Sequence, residues 1–515
     1  MNRHSKEKVA VIDMGSNSIR LVIHQVDEKR GYRQIHNVKD VARLSNFIDQ
    51  DRKLTEEGFR ALEQTIVRFN EIIEDHQVTN IRGIATAAVR HASNQQQILS
   101  FIKEKSGMDF EVLSGHQEAY YGYVAVINST PLTDGITVDI GGGSTEVTLF
   151  KNRKLLHTYS FDFGALTLER LFFQGAEPND KRLAELSSFV QNQFAKLPWL
   201  KNAQVPIAGI GGSARNMALI HQRQQGYPLS NLHQYPMEAE SVNQTLKYLA
   251  ALPYVKRLEV DGLSKDRADI IVPAVALLNE LVQYTAAPQF VLSNKGLRDG
   301  LLFDTLLKPL EMDCFPSVSE ESFYQLEREY DLPAGLTNSV LITSLMLYDE
   351  LAEHAGNNPL PANNREILRM SAKVVYLGEY IDESSSSDHT FYLLLHRSID
   401  GVSHRERAAM ALIASFKSRK LFKKRAQEFN GFFTSQELNQ YEQLGAILKL
   451  SYSLHLTRRS IISNVNIINK QGALHFQIEY DPDRDPHFEI QACDKHKKHL
   501  EKALGTACMF EFIKG

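Results

Sequence analysis

Cysteine is scarce. Cys314, Cys493 and Cys508 are the whole complement, an odd number with no metal-ligand spacing. That argues against a disulfide scaffold and a zinc ribbon, and a reducing compartment is the simple reading. Long hydrophobic runs are missing as well. No stretch of about 18 apolar residues occurs, and no signal-peptide core follows the charged opening MNRHSKEK. We therefore expect no membrane insertion and a cytoplasmic protein. Nor is there an excess of one charge, since 58 Lys and Arg stand against 62 Asp and Glu for a net charge of −4. That balance argues against a dedicated nucleic-acid coat, so no nucleic-acid partner is expected. A local basic channel for another polyanion is compatible with it. Low-complexity tracts and the G-x-x-x-x-G-K-[ST] phosphate loop are also absent.

What the chain does have is length and a repeated pattern. Its 515 residues exceed what one hydrophobic core organises, which predicts three or four domains. Hydrophobic content of 43% and charged content of 23% are ordinary for a globular protein. Near the start, an apolar strand Lys8–Asp13 leads through Met14-Gly-Ser-Asn-Ser18 into a second strand, Ile19–Val26. The same grammar returns at Gly135–Ile140, Gly141-Gly-Gly-Ser-Thr145 and Glu146–Phe150. Two matched hairpins predict an internal duplication, one copy opening each of two domains, 1–125 and 126–308. Helices are expected at Thr55–Glu74, Asn94–Ser106, Asp180–Ala195, Ala214–His221 and Lys265–Tyr284, with strands at Ile81–Thr86, Leu155–Phe161, Val205–Ile210 and Gln289–Ser293. From about Cys314 the glycine loops vanish and helical periodicity dominates, giving a helical domain at 309–460. The tail, 461–515, reads as a small α+β cap with strands at Ser463–Ile467, His475–Glu479 and His487–Ile490.

The two loops share a chemical logic. Glycines without Cβ let backbone N–H groups approach an anion, and Ser16, Asn17, Ser18, Ser144 and Thr145 add side-chain donors beside Gly141, Gly142 and Gly143. Gly211-Gly212-Ser213 opens a helix, so its N-terminal amides are a further anion contact. Asp13 and Asp139 end the incoming strands and suit Mg²⁺, with phosphate oxygens and water completing the shell. Taken singly, each hairpin is a tight turn with Asp in local backbone bonds. Taken together, they predict a clamp on adjacent phosphates. Neither main glycine loop opens a helix, which argues against a dinucleotide site.

These motifs resemble the exopolyphosphatase/guanosine pentaphosphate phosphatase (Ppx/GppA) family. The resemblance lies in Val11–Leu21, Val138–Glu146, Gly83–Asn94, Ser114-Gly-His-Gln-Glu-Ala119, Gly209–Ser213 and Leu263–Pro273, and covers roughly residues 8–305. It implies an α/β fold of two tandem actin-like (ribonuclease H-like) domains, followed by a mostly helical domain like the HD phosphohydrolases. It also implies hydrolysis of terminal phosphate from inorganic long-chain polyphosphate, and a homodimer. Glu118 falls on the family's catalytic glutamate and would be the general base. Glu146 would orient the water or metal, and Arg90 would hold phosphate bidentately. His91 reads as structural, and Arg267 with Asp269 as an interdomain pair. The HD His-Asp dyad would fall near Val374–Gly378, where none stands, so the helical half is expected to bind rather than catalyse.

That half carries a dense basic run, Phe416–Arg425. Lys417, Arg419, Lys420, Lys423 and Lys424, with Arg405 and Arg407, are expected to line a polyphosphate-guiding channel, against the plainer reading of a solvated helix face. The nearest rival function is a guanosine pentaphosphate 5′-phosphohydrolase. A sugar or carboxylate kinase of the same superfamily would need an adenosine pocket, and a non-catalytic nucleotide sensor would not need Glu118, Asp139 and Glu146.

Overall fold

The computed structural model describes residues 7–354, 362–470 and 472–515. Two compact units divide the chain between Val318 and Ser319, with the short segment Pro228–Asn231 grouped with the second. The break falls later than the expected 309 because Phe315 is buried beside Phe303 and Leu307, and its N–H donates to Asn128 Oδ1 at 2.8 Å.

In the first unit the N-terminal sheet has β1 (Glu7–Met14), β2 (Ile19–Val26), β3 (Tyr32–Asp40), β4 (Asn80–Ala85) and β5 (Phe110–Val112), in the order β3-β2-β1-β4-β5. The first three strands form an antiparallel meander, and β4 and β5 add in parallel. The second sheet has β6 (Gly135–Ile140), β7 (Thr145–Lys151), β8 (Lys154–Phe161), β9 (Ile207–Ile210), β10 (Pro236–Glu238) and β11 (Gln289–Leu292), in the order β10-β11-β9-β6-β7-β8. Without the edge strand β10 it repeats the first: a meander β6-β7-β8, with β9 and β11 parallel beside β6. The duplication suggested by two loops is thus a duplication of whole sheets.

Alternation explains the strands. Ala10, Ile12, Met14, Ile19, Leu21 and Ile23 face a core shared with Phe59, Leu62, Ile66 and Phe69 of helix Glu56–Asp75. That helix is opened by Thr55, which accepts from Gly58 N, with Glu56 and Glu57 in the first turn. The second sheet buries Ile136, Val138 and Val147 against Leu186, Val190 and Met217. Helix Gly115–Ile127 serves both sheets. Its Tyr121 packs with Val11 and Ile84, and its Tyr123 and Val124 pack with Ala208 and Ile210. A helix buried on so many sides holds its first turn firmly, and Glu118 is in that turn. Helix Leu297–Leu307 lies close along it. Gly300 meets the Tyr121 backbone, where a Cβ would collide.

The second unit is mostly helical, with Val318–Glu329, Ala334–His354, Ala362–Lys373, Ser386–His396, His404–Ala414, Arg419–Ala426 and Ser435–Leu454. A sheet of β12 (Ile462–Lys470), β13 (Ala473–Tyr480) and β14 (Cys508–Lys514) closes the chain, with helix His487–Leu504 between β13 and β14. The strand expected at His487–Ile490 is therefore the first turn of a helix. Glu489 is buried there and pairs with Arg459 at 3.1 Å, while Cys493 and Leu500 continue a helical apolar face. The expected helix Lys265–Tyr284 begins only at Ile271, after a short 3₁₀ turn Lys265–Arg267. Pro273 sits in its first turn, the one place where a missing N–H costs nothing.

Candidate active site

The two phosphate-type loops face each other across a cavity of about 350 Å³ in the first unit. One wall is Asp13, Gly15, Ser16, Asn17 and Ser18, and the opposite wall is Asp139, Gly141, Gly142, Gly143 and Ser144. Each loop closes on itself in the same way. Gly15 N donates to Ser18 O at 3.1 Å, and Gly141 N donates to Ser144 O at 2.9 Å. Gly211 and Gly212 form a third side. Gly211 has φ +84, and a Cβ there would strike the Asp139 carboxylate, so only glycine fits.

Glu118 enters from the first turn of its helix. Ser114 caps that helix: its Oγ accepts from Gln117 N at 3.2 Å, while Gln117 Oε1 accepts from Ser114 N at 2.8 Å. Glu118 and Glu146 both line the cavity, and Glu146 is 6% exposed with Oε1 accepting from Ser160 Oγ at 2.9 Å. Burial pushes both carboxyls well above the usual glutamate range. For Glu146 the neighbouring charges of Glu118 and Asp139 add to the rise. For Glu118 the ion pair with Arg90 opposes it, while Asp13 and Asp139 add to it. Asp139 is pushed up to about 6, by burial first and by Asp13 second. No three His, Cys, Asp or Glu side chains among the described residues group into a metal cage. The carboxylates that a cation would meet are the mutually repelling Asp13 and Asp139.

Against these acids stands a set of arginines. Arg298 Nη1 pairs with Asp13 Oδ2 at 2.7 Å. Arg20, Lys39, Arg215 and Arg267 line the same cavity. Burial lowers the pKa of Arg20 and Arg215, and each is lowered further by Arg298. Arginines held this close repel one another, and that repulsion is relieved by a polyanion lying between them.

Several expected site residues stand elsewhere. Arg90 is not on the cavity wall. It ion-pairs with Glu118 and donates from Nη1 to Leu113 O at 2.8 Å, so it positions the glutamate. Thr145 is 1% exposed and its hydroxyl donates to Phe163 O at 2.7 Å, which ties the loop to the following turn. Ser213 is buried behind Gly212, with Arg267 Nη1 3.5 Å from its Oγ. Arg267 itself, expected to pair with Asp269, belongs to the cavity. In the second unit, Arg407 is fully buried and donates from Nη1 to Arg397 O at 3.0 Å, so no ligand on the surface reaches it. Arg405 pairs with Glu437 at 2.7 Å and Arg419 with Glu442 at 2.9 Å. Lys417, Lys420, Lys423 and Lys424 are exposed, whereas Phe422 and Arg425 of the same segment turn inward.

Arg20, Arg215 and Arg298 were missed from sequence. For Arg20 a signal existed. In β1–β2 it is the partner of Asp13, and in β6–β7 the partner of Asp139 is Glu146. The duplicated hairpin thus places a cation and an acid at equivalent positions.

Known proteins bear on this geometry. The model of the Ppx/GppA phosphatase family matches residues 22–309, and that of Ppx/GppA phosphatase domain III matches residues 318–495. A solved Ppx/GppA family member from Aquifex aeolicus is 24% identical, covering 59% of this chain and 99% of its own, with a TM-score of 0.54. A solved exopolyphosphatase from Cytophaga hutchinsonii is 25% identical, covering 58% of this chain and 98% of its own, also with a TM-score of 0.54. Two family models in succession, the first alone spanning more than half of the sequence, place this chain in the Ppx/GppA phosphatase family.

Proposed function

We propose that this phosphatase is an exopolyphosphatase that hydrolyses the terminal phosphoanhydride of long-chain inorganic polyphosphate. The observation that carries the reading is the cleft itself: facing glycine loops and crowded arginines beside the buried Glu146 and the half-buried Glu118. Backbone N–H groups of the loops and the guanidinium groups of Arg20, Arg215, Arg267 and Arg298 would bind successive phosphates and offset their charge. Ser16, Asn17, Ser18 and Ser144 would orient the terminal group. Glu118, held by Arg90, would take the proton from the attacking water, and Glu146 would keep that water in line. Asp13 and Asp139 both line the cavity and would hold a Mg²⁺ ion; Asp139 is raised first by burial and then by Asp13, and a divalent cation would offset that second effect and supply charge neutralisation on the phosphoryl oxygens. A homodimer in the cytoplasm is part of the same proposal.

Guanosine pentaphosphate is the second reading, with the same chemistry on a nucleotide. The exposed lysines Lys417, Lys420, Lys423 and Lys424 favour the polymer, since a short nucleotide needs no extended basic surface. The name of the Cytophaga hutchinsonii relative points the same way. Phosphate release with Mg²⁺ from long-chain polyphosphate, guanosine pentaphosphate and ATP tests the choice. Release chiefly from the polymer is expected, and release from the nucleotide alone would overturn it.

A further inference from the structure

The turn that follows β11 forms one wall of the phosphate cavity, where Asn294, Gly296, Leu297 and Arg298 stand. The turn is irregular, so its backbone donors need partners outside a strand ladder. Each has one. Ser293 N donates to Gly209 O at 2.8 Å, Lys295 N to Ser293 Oγ at 3.1 Å and Gly296 N to Asp299 Oδ2 at 3.0 Å. Asn294 N donates to Nδ1 of His233 at 3.1 Å. His233 is only 1% exposed. Its Nε2 is 2.9 Å from Ser129 O, just beyond the helix Gly115–Ile127 that carries Glu118. An amide N–H can only donate and a carbonyl can only accept. Nδ1 is therefore the acceptor and Nε2 carries the proton, so the two contacts fix one tautomer of the ring. Gln234 N donates to Leu292 O at 2.7 Å and Leu292 N to Tyr235 O at 3.0 Å, so the segment bearing His233 is itself laced to the end of β11.

Asn294 passes this position on to a guanidinium. Its Oδ1 accepts from Nε of Arg215 at 3.2 Å, and Arg215, in the helix Gly211–Gln224, lines the cavity. A guanidinium is planar and its donors form a rigid fork. Holding Nε orients that plane and leaves Nη1 and Nη2 for two oxygens of one phosphate. Burial, and then the nearby charges of Arg298 and Arg267, lower the pKa of Arg215. That repulsion favours a swing of the side chain away from its neighbours, and the Asn294 acceptor opposes it. We propose that His233 is a positioning residue for phosphate binding: through the backbone of Asn294 it places Asn294 Oδ1, and so aims Arg215 at the substrate. The proposal rests on Arg215 being a phosphate ligand, which is part of the function proposed above.

Steady-state kinetics of full-length single and double variants test this, with long-chain polyphosphate as substrate, or guanosine pentaphosphate if the parent releases phosphate from that alone. An Asn side chain overlays the Nδ1 position of His, and Gln the Nε2 position. His233→Gln loses the acceptor for Asn294 N but keeps a donor for Ser129 O, and should raise KM by about five- to tenfold at near-constant kcat. His233→Asn keeps the acceptor and should bring KM back to within about twofold of the parent. Asn294→Ala, at an exposed position, removes Oδ1 and should raise KM by a similar factor to His233→Gln. Arg215→Met should raise KM at least as much, and neither of those two changes should add to it in double variants. Additive losses, or a His233→Asn no better than His233→Gln, would mark His233 as part of the packing only and overturn the proposal. An unchanged KM in Asn294→Ala would overturn it too, even if His233→Gln fails to fold. An unchanged KM in Arg215→Met would overturn the reading of Arg215 as a phosphate ligand, and the proposal with it.

Discussion

Arg90 shows how one residue changes meaning between sequence and structure. A basic residue on a phosphate motif reads as a phosphate ligand, yet its guanidinium holds Glu118. Its charge lowers the Glu118 pKa against the larger effect of burial. A general base works ionised, so turnover should rise with pH through that pKa, with an acid limb above the usual glutamate range. Arg90→Gln removes the lowering influence, and its acid limb should move to higher pH in a kcat/KM profile. A shift to lower pH, or none, contradicts the positioning role. Residue identities of this kind were only half legible. Asp13, Asp139, Glu118 and Glu146 stand in motifs and reach one cavity. Arg215 and Arg298 stand in no phosphate motif and arrive through tertiary packing. Thr145 and Ser213 look like donors in sequence, and their burial becomes visible only with neighbours in place.

Elements were more legible than contacts. Both hairpins and most helices follow from alternation and period, because one buried face dictates each pattern. Where two patterns overlap, the local one misleads. The alternation in His487–Ile490 looks like a strand, but the apolar spacing of Ala492, Cys493 and Leu500 continues a helix. The helix carrying Glu118 lacks a polar face over Tyr121–Ile127, so its amphipathic signal is weak although its cap is strong. That cap yields a test. Ser114→Ala removes an acceptor for Gln117 N and should cost about 1 kcal/mol, read as a lower denaturant midpoint. Because Glu118 sits in the capped turn, kcat should fall several-fold while KM stays near the parent value. An unchanged kcat would mean that the cap and the base are independent.

At the scale of the whole molecule, the repeated sheets explain how one cleft is made from two loops. Each copy places an Asp at the end of its first strand and a glycine turn beside it, and facing copies give one pocket. The second unit carries the exposed lysines, and no helix among the described residues is long and apolar enough to cross a membrane. Charge reversal at Lys420, Lys423 and Lys424 should raise KM for long polyphosphate by an order of magnitude or more and leave very short chains almost unchanged. Added salt should weaken the long-chain preference proposed for the parent protein. Equal effects on long and short chains would remove these lysines from substrate guidance.

The central claim is that Glu118 activates water in this cleft, and the isosteric Glu118→Gln tests it most directly. Gln keeps the shape and a contact for Arg90 but accepts no proton. Phosphate release under single-turnover conditions should fall by about 10²–10⁴-fold, as for the loss of a general base, while polyphosphate affinity stays within a few-fold of the parent. Near-normal release by Glu118→Gln, with affinity unchanged, would contradict the assignment.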